Sequence, residues 1–208
     1  MTARRRSHKS FGLLGALIAL ALLAAACSSG GGDDDGAGAG GQDADGAPVA
    51  SGGPSIDDHW HAAYGVYVCN QFLPPFLTEN DPVGIHSHQD GIIHVHPFTD
   101  AVTGVGATLG VFFDTMGAPL SDDGLELPDG TVLATGGECD GQPAVLQVAR
   151  WADATDTAAA PEVFTEGLAD INIRNDREAY TIGVVAEGES LPPPPTIPNL
   201  DTLTDVAG

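Results

Sequence analysis

The sequence predicts a β-rich α+β domain, with a mostly antiparallel sheet and one or two short helices, carried after a disordered acidic tether. Three observations predict it. Short runs rich in β-branched and aromatic residues recur between Gly, Pro and Asp-Gly stops. Two of those stops have the composition of hairpin turns. Only the segment around Leu109, Phe112, Phe113 and Met116 spaces its apolar residues as an amphipathic helix does.

Taken in order, residues 61–70 read as a strand, with Ala62-Ala63-Tyr64-Gly65-Val66-Tyr67-Val68-Cys69 stopped by Phe72-Leu73-Pro74-Pro75. Residues 84–98 read as a hairpin turning at Gln89-Asp90-Gly91. The helix is expected over 107–116, with Gly117 as its stop. A second short hairpin follows, Leu125-Glu126-Leu127 and Thr131-Val132-Leu133 joined by Pro128-Asp129-Gly130. Further strands are expected at 144–151, 171–174 and 180–185, with a loop over 152–160 and an extended segment from Pro192 to Pro195 onward. There is no solenoid repeat, no Gly-rich phosphate loop and no Gly-x-Ser-x-Gly elbow.

Ahead of this domain the chain begins with Arg4, Arg5, Arg6 and Lys9, then an unbroken apolar run over 11–26. The run is shorter than the ~20 apolar residues of a spanning helix. Leu22-Leu23-Ala24-Ala25-Ala26-Cys27 resembles the lipobox of bacterial lipoproteins, although Ala24 stands where that motif prefers Leu. The resemblance implies that residues 1–26 are a signal peptide and that the Cys27 thiol is diacylated and becomes the new N-terminus. It places the protein on the extracytoplasmic face of the cell membrane. Residues 27–56, with Ser28-Ser29-Gly30-Gly31-Gly32-Asp33-Asp34-Asp35, read as a flexible, self-repelling tether. Residues 57–203 are the right size for one globular domain, and 204–208 form a tail.

Charge separates the parts further. The chain has 7 Lys+Arg against 29 Asp+Glu, and four of the basic residues lie in the signal. Only Arg150, Arg174 and Arg177 remain, so the mature net charge is 3 − 29 = −26. Nucleic acid and anionic headgroups repel such a protein, and the acyl chains must supply the membrane attachment. No protein partner is indicated. With Cys27 assigned to lipid, Cys69 and Cys139 remain as an even pair in an oxidising compartment. A disulfide is favoured over metal-ligating thiolates, because neither has a second Cys at finger-like spacing.

The histidines carry the sharpest signal. Six of the seven fall in three His-x-His pairs, His59/His61, His86/His88 and His94/His96. On a strand each pair projects both imidazoles from one face, which offers two nitrogen ligands to one metal. A two-residue turn at Asp90-Gly91 would set the two later pairs on opposite faces. A three-residue loop at Gln89-Asp90-Gly91 instead opposes His86 to His94 and puts all four on one face. The longer loop is favoured, because it gathers Ser87, Ile93 and Val95 on the other side as a core set. Asp57, Asp58, Asp90 and Asp100 lie near enough in sequence to act as further ligands, supporting groups or a base. Trp60, Tyr64 and Tyr67 could line a pocket, but strand packing is the favoured reading.

Asp-His-Trp-His-Ala-Ala-Tyr-Gly-Val-Tyr-Val-Cys and Gly-Ile-His-Ser-His-Gln-Asp-Gly-Ile-Ile-His-Val-His-Pro-Phe together resemble a family of actinobacterial secreted and membrane-anchored proteins. The resemblance runs from Asp57 to the Pro-Asn-Leu-Asp segment and implies export but no particular activity. His-Trp-His and His-Ser-His are also similar to pieces of multicopper oxidases. The chain is too short for several cupredoxin domains, however, and lacks a His-Cys-His element. Nor does the following Glu of the cupin pattern occur. One class of carbonic anhydrase shares the ligand logic, a strand His-x-His plus a neighbouring-strand His, which says nothing of substrate.

The function expected is a cell-surface lipoprotein binding a transition metal, zinc or copper first, as carrier, sensor or store. The alternatives are a metal-dependent hydrolase or lyase acting through metal-bound water, a proton switch of clustered imidazoles, and a non-metal envelope domain.

Overall fold

The computed structural model describes residues 52–203. The expected signal peptide, Cys27, the expected tether through residue 51 and the 204–208 tail lie outside the described residues. Packed structure already includes Pro54, which is buried and accepts a hydrogen bond from Gly104 N at 2.7 Å.

The strands, in chain order, are β1 (Trp60–Val68), β2 (Gln71–Phe72), β3 (Ile85–His86) and β4 (Ile92–Val95). After the helix α1 (Leu109–Thr115) come β5 (Leu120–Ser121), β6 (Gly124–Glu126), β7 (Val132–Leu133) and β8 (Glu138–Cys139). The last are β9 (Gln142–Trp151), β10 (Glu162–Phe164) and β11 (Ala179–Ala186). The main sheet runs β10-β9-β11-β1-β4-β3, with β2 on β1 and β8 on β9, and β5-β6-β7 form a small second sheet. All pairings are antiparallel except β1 with β11, which are parallel from Ala63↔Ala179 to Val68↔Val184. The architecture is thus the β-rich α+β class expected.

Alternation along β1 explains how the sheet is used. Ala62, Tyr64 and Val66 point into the main core, where Ile93 and Val95 of β4 and Ile85 of β3 join them. Phe112 and Phe113 of α1 and Leu125 and Leu133 of the small sheet cover this face. Thr108 caps the helix, its hydroxyl accepting from Val111 N, and Gly117 ends it at φ +63°. Ala63 and Ile92 belong to the opposite face, with Ala149, Trp151, Ala179, Leu191 and Leu200 in a second apolar cluster. The Pro-rich segment after β11 covers this second face. Thr181 Oγ1 donates to Pro192 O and Thr196 Oγ1 to Tyr64 O, at 2.7 and 2.9 Å.

Residues 171–174, expected as a strand, make only an isolated bridge at Asn172, opposite Thr108. Their apolar residues Ile171 and Ile173 are buried in the main core, so burial and not sheet pairing accounts for the alternating pattern there. Cys69 and Cys139 are joined in a disulfide, with Cα atoms 5.1 Å apart. It ties β8 to the end of β1. Among the described residues no helix is long and apolar enough to cross a membrane.

Candidate metal centre

Three strands bring the histidines together. The registers pair His61 with His94 and His94 with His86, so one row of imidazoles crosses β1, β4 and β3. His94 and His96 share the face of Ile92, and His59 and His61 that of Ala63, because side chains two apart fall on one side of a strand. The loop length decides the rest. Gly91 takes φ +76°, His86 opposes His94, and Ser87, Ile93 and Val95 are buried on the other side. Gln89 is left-handed as well, at φ +66°. His88 bridges to Leu77 beyond the end of β3.

One position out along the sheet, His96 lies beside His59, their rings 5.4 Å apart. Just before β3, Gly84 O accepts from His96 N at 2.8 Å, and a Cβ at Gly84 would lie 2.1 Å from His96 O. The Asp81 carboxylate folds back onto the amides of this turn. Its Oδ1 accepts from Gly84 N at 2.6 Å and Val83 N at 3.1 Å, and its Oδ2 approaches His86 Nδ1 to 2.7 Å. That approach is out of line for a hydrogen bond, so the contact is mainly electrostatic. His88 Nε2 lies 3.0 Å from His86 Nε2 on the ring's other side.

Three groups could hold a metal ion: His59/His61/His94, His86/His88/His94 and Asp81/His86/His96, with candidate ligand atoms in each within 4.8 Å of one another. Nitrogens around a tetrahedral zinc are ~3.4 Å apart, from Zn–N of about 2.0–2.1 Å, so modest rotations would close each group. All donors are nitrogen or oxygen. Both described cysteines are in the disulfide, and Met116 lies in the main core against the Tyr64 hydroxyl. Such a set suits zinc(II), copper(II), nickel or iron and not soft copper(I).

Electrostatics keep ring lone pairs available. Burial lowers the His86 pKa to about 4, the Asp81 carboxylate opposing this and the neighbouring imidazoles reinforcing it. Burial, then His59, lowers His96 also. Burial would raise the Asp90 carboxyl, but hydrogen bonds from His94 and from Ile92 N take it below its ordinary value. Asp90 Oδ2 accepts from His94 Nε2 at 2.9 Å, the arrangement by which a carboxylate fixes a ligating imidazole.

Neighbouring segments hold the row in place. His61 N donates to Asp176 Oδ1 and His61 O accepts from Arg177 N, both at 2.7 Å. That turn is itself anchored by Glu178, fully buried, whose carboxylate accepts from Arg174 N, Asn175 Nδ2 and the Tyr180 hydroxyl. On the other side, Asn199 Nδ2 donates to Asp90 O at 2.7 Å.

Every predicted histidine therefore reaches one face, and of the four acids noted in the sequence only Asp90 joins them. Asp58 accepts from Ser55 N, while Asp57 and Asp100 are exposed and in none of the groups. Asp81 was missed. The signal for it was Asp81-Pro82-Val83-Gly84, an Asp able to cap the amides two and three residues on as the chain enters the strand. Tyr64 and Trp60 pack with the main core and Tyr67 with the second cluster, as the packing reading expected.

Compared with known proteins, the chain matches no family model, no curated protein and no solved structure.

Proposed function

We propose that this is a lipid-anchored protein of the extracytoplasmic face that binds a transition metal, zinc or copper, on its histidine face and serves as carrier, sensor or store. The observation that carries the metal reading is the strand register that lines up His61, His94 and His86. An aligned row of imidazoles with two supporting carboxylates is a ligand set, where a merely solvated face would scatter its histidines. His88 is exposed and His59, His61 and His96 are partly exposed, so ions can enter and leave from solvent. The mature charge of −26 raises the local cation concentration. Location rests on the lipobox-like run at Cys27 alone.

Binding needs only the ligand groups described above, whereas hydrolysis needs a substrate cleft beside them as well. A groove of about 1170 Å³ lies between the Leu73–Val83 stretch and α1, near Phe76, Val111 and Met116, and none of its lining residues is a histidine. The test is metal analysis of the mature chain, purified in detergent without chelator from metal-supplemented cells. Near-stoichiometric zinc or copper is expected, and its loss when His86 and His94 are both replaced by Ala. Metal-free protein with no affinity in titration would refute the reading.

A further inference from the structure

We infer that the histidine face holds two metal ions side by side, one on His59, His61 and His94 and the other on Asp81, His86 and His96. This rests on the metal-binding reading above and deepens it. The two groups share no residue, and in each the candidate ligand atoms already lie within 4.8 Å. The remaining group, His86/His88/His94, takes one residue from each of the others, so a single central ion there would compete with both.

Canted rings occur in both groups and also in the central one, where His88 meets His86 at 84° and His94 at 77°. Within the first group the His61 and His94 rings meet at 88°, 4.9 Å apart, and within the second His86 and His96 meet at 75°, 4.8 Å apart. Rings canted in this way can converge on a common point. His86 and His94, which a central ion must share, lie parallel within 7° at 5.3 Å. Asp81 reaches the second group from a loop, its Oδ1 accepting from Gly84 N at 2.6 Å.

Charge and donors also divide into two sets. The second group has a carboxylate of its own in Asp81, and the first has Asp90 against His94. Two divalent ions on neighbouring groups repel each other, and these carboxylates together with the strongly acidic chain offset that repulsion. Ions on groups this close interact magnetically when they are paramagnetic.

The experiment is a copper(II) and zinc(II) titration of the mature chain, with bound metal measured after desalting and the copper form examined by electron paramagnetic resonance. Two ions per chain are expected, with the integrated copper signal reduced or a half-field transition present at two equivalents. His59→Ala with His61→Ala should leave one ion, as should Asp81→Asn with His96→Ala, while His88→Ala should keep two. Circular dichroism melts of each variant report folding, and the wild-type stoichiometry decides the matter even if a variant unfolds. One ion per chain, or two without magnetic coupling, would overturn the paired arrangement and leave metal binding standing. No ion at all would overturn metal binding itself.

Discussion

His86 sits where the opposing forces of the centre meet. Burial and three neighbouring imidazoles disfavour its charged form, Asp81 favours it, and the balance takes its pKa from 6.5 to about 4. The sign of the consequence follows directly. Between those two values the unfolded chain binds a proton at this residue and the folded chain does not. Stability of the metal-free protein therefore falls as pH drops from 6.5 toward 4 and is unaffected by this group above that window. Melting curves of wild type and His86→Gln between pH 7.5 and 4.5 check this; the wild type should lose the more stability on acidification. Equal losses would show that His86 titrates normally. Protons and metal compete for the same lone pairs, so bound metal should be released over the lower part of this range. Asp81 shows what could not be read at this scale. Its grouping with His86 and His96 exists only once β3 is paired with β4.

The turn at Gln89-Asp90-Gly91 decides whether the hairpin's histidines face one way or two. Its length was legible, because only the longer loop buries Ser87 with Ile93 and Val95. What holds the turn was not, since Asn199 and Thr196 arrive from the far end of the chain. Gly91 has φ +76°, and an added Cβ would lie 2.1 Å from Thr196 Cγ2. Gly91→Ala should therefore cost more than about 1 kcal/mol in stability. It should also weaken metal affinity by shifting His94 against His86. Urea unfolding and metal titration of the same variant test both effects; unchanged affinity would mean that the turn does not set the site. Hairpins and the helix were readable from local pattern, as β4, β6, β7 and α1 attest. The parallel pairing of β1 with β11 was not, because it joins segments more than a hundred residues apart and leaves no local mark. Residues 171–174 misled for the converse reason: apolar alternation reports burial, and a loop can be buried too.

Across the whole molecule, β1 connects two distinct ends. His61 lies at its start and Cys69 just past its finish, roughly 26 Å away at 3.3 Å per residue. The disulfide closes a loop of 70 residues, which contributes about 4 kcal/mol on the chain-entropy account. Reduction, or replacement of Cys69 and Cys139 by Ser, should lower the melting temperature markedly while leaving metal stoichiometry unchanged at temperatures where the protein stays folded. A metal content that fell with reduction would tie the centre to the far end of the sheet. The Cys69–Cys139 pair was legible because the expected assignment of Cys27 to lipid left an even number of cysteines. The meeting of three His-x-His pairs was legible only as a possibility, since it requires β1 to lie against β4 and not elsewhere in the sheet. The central claim is that this meeting makes a metal centre. Elemental analysis of the mature chain, purified without chelator, tests it most directly: zinc or copper at one or more ions per chain is predicted, and metal-free protein that also takes up none in titration would contradict it.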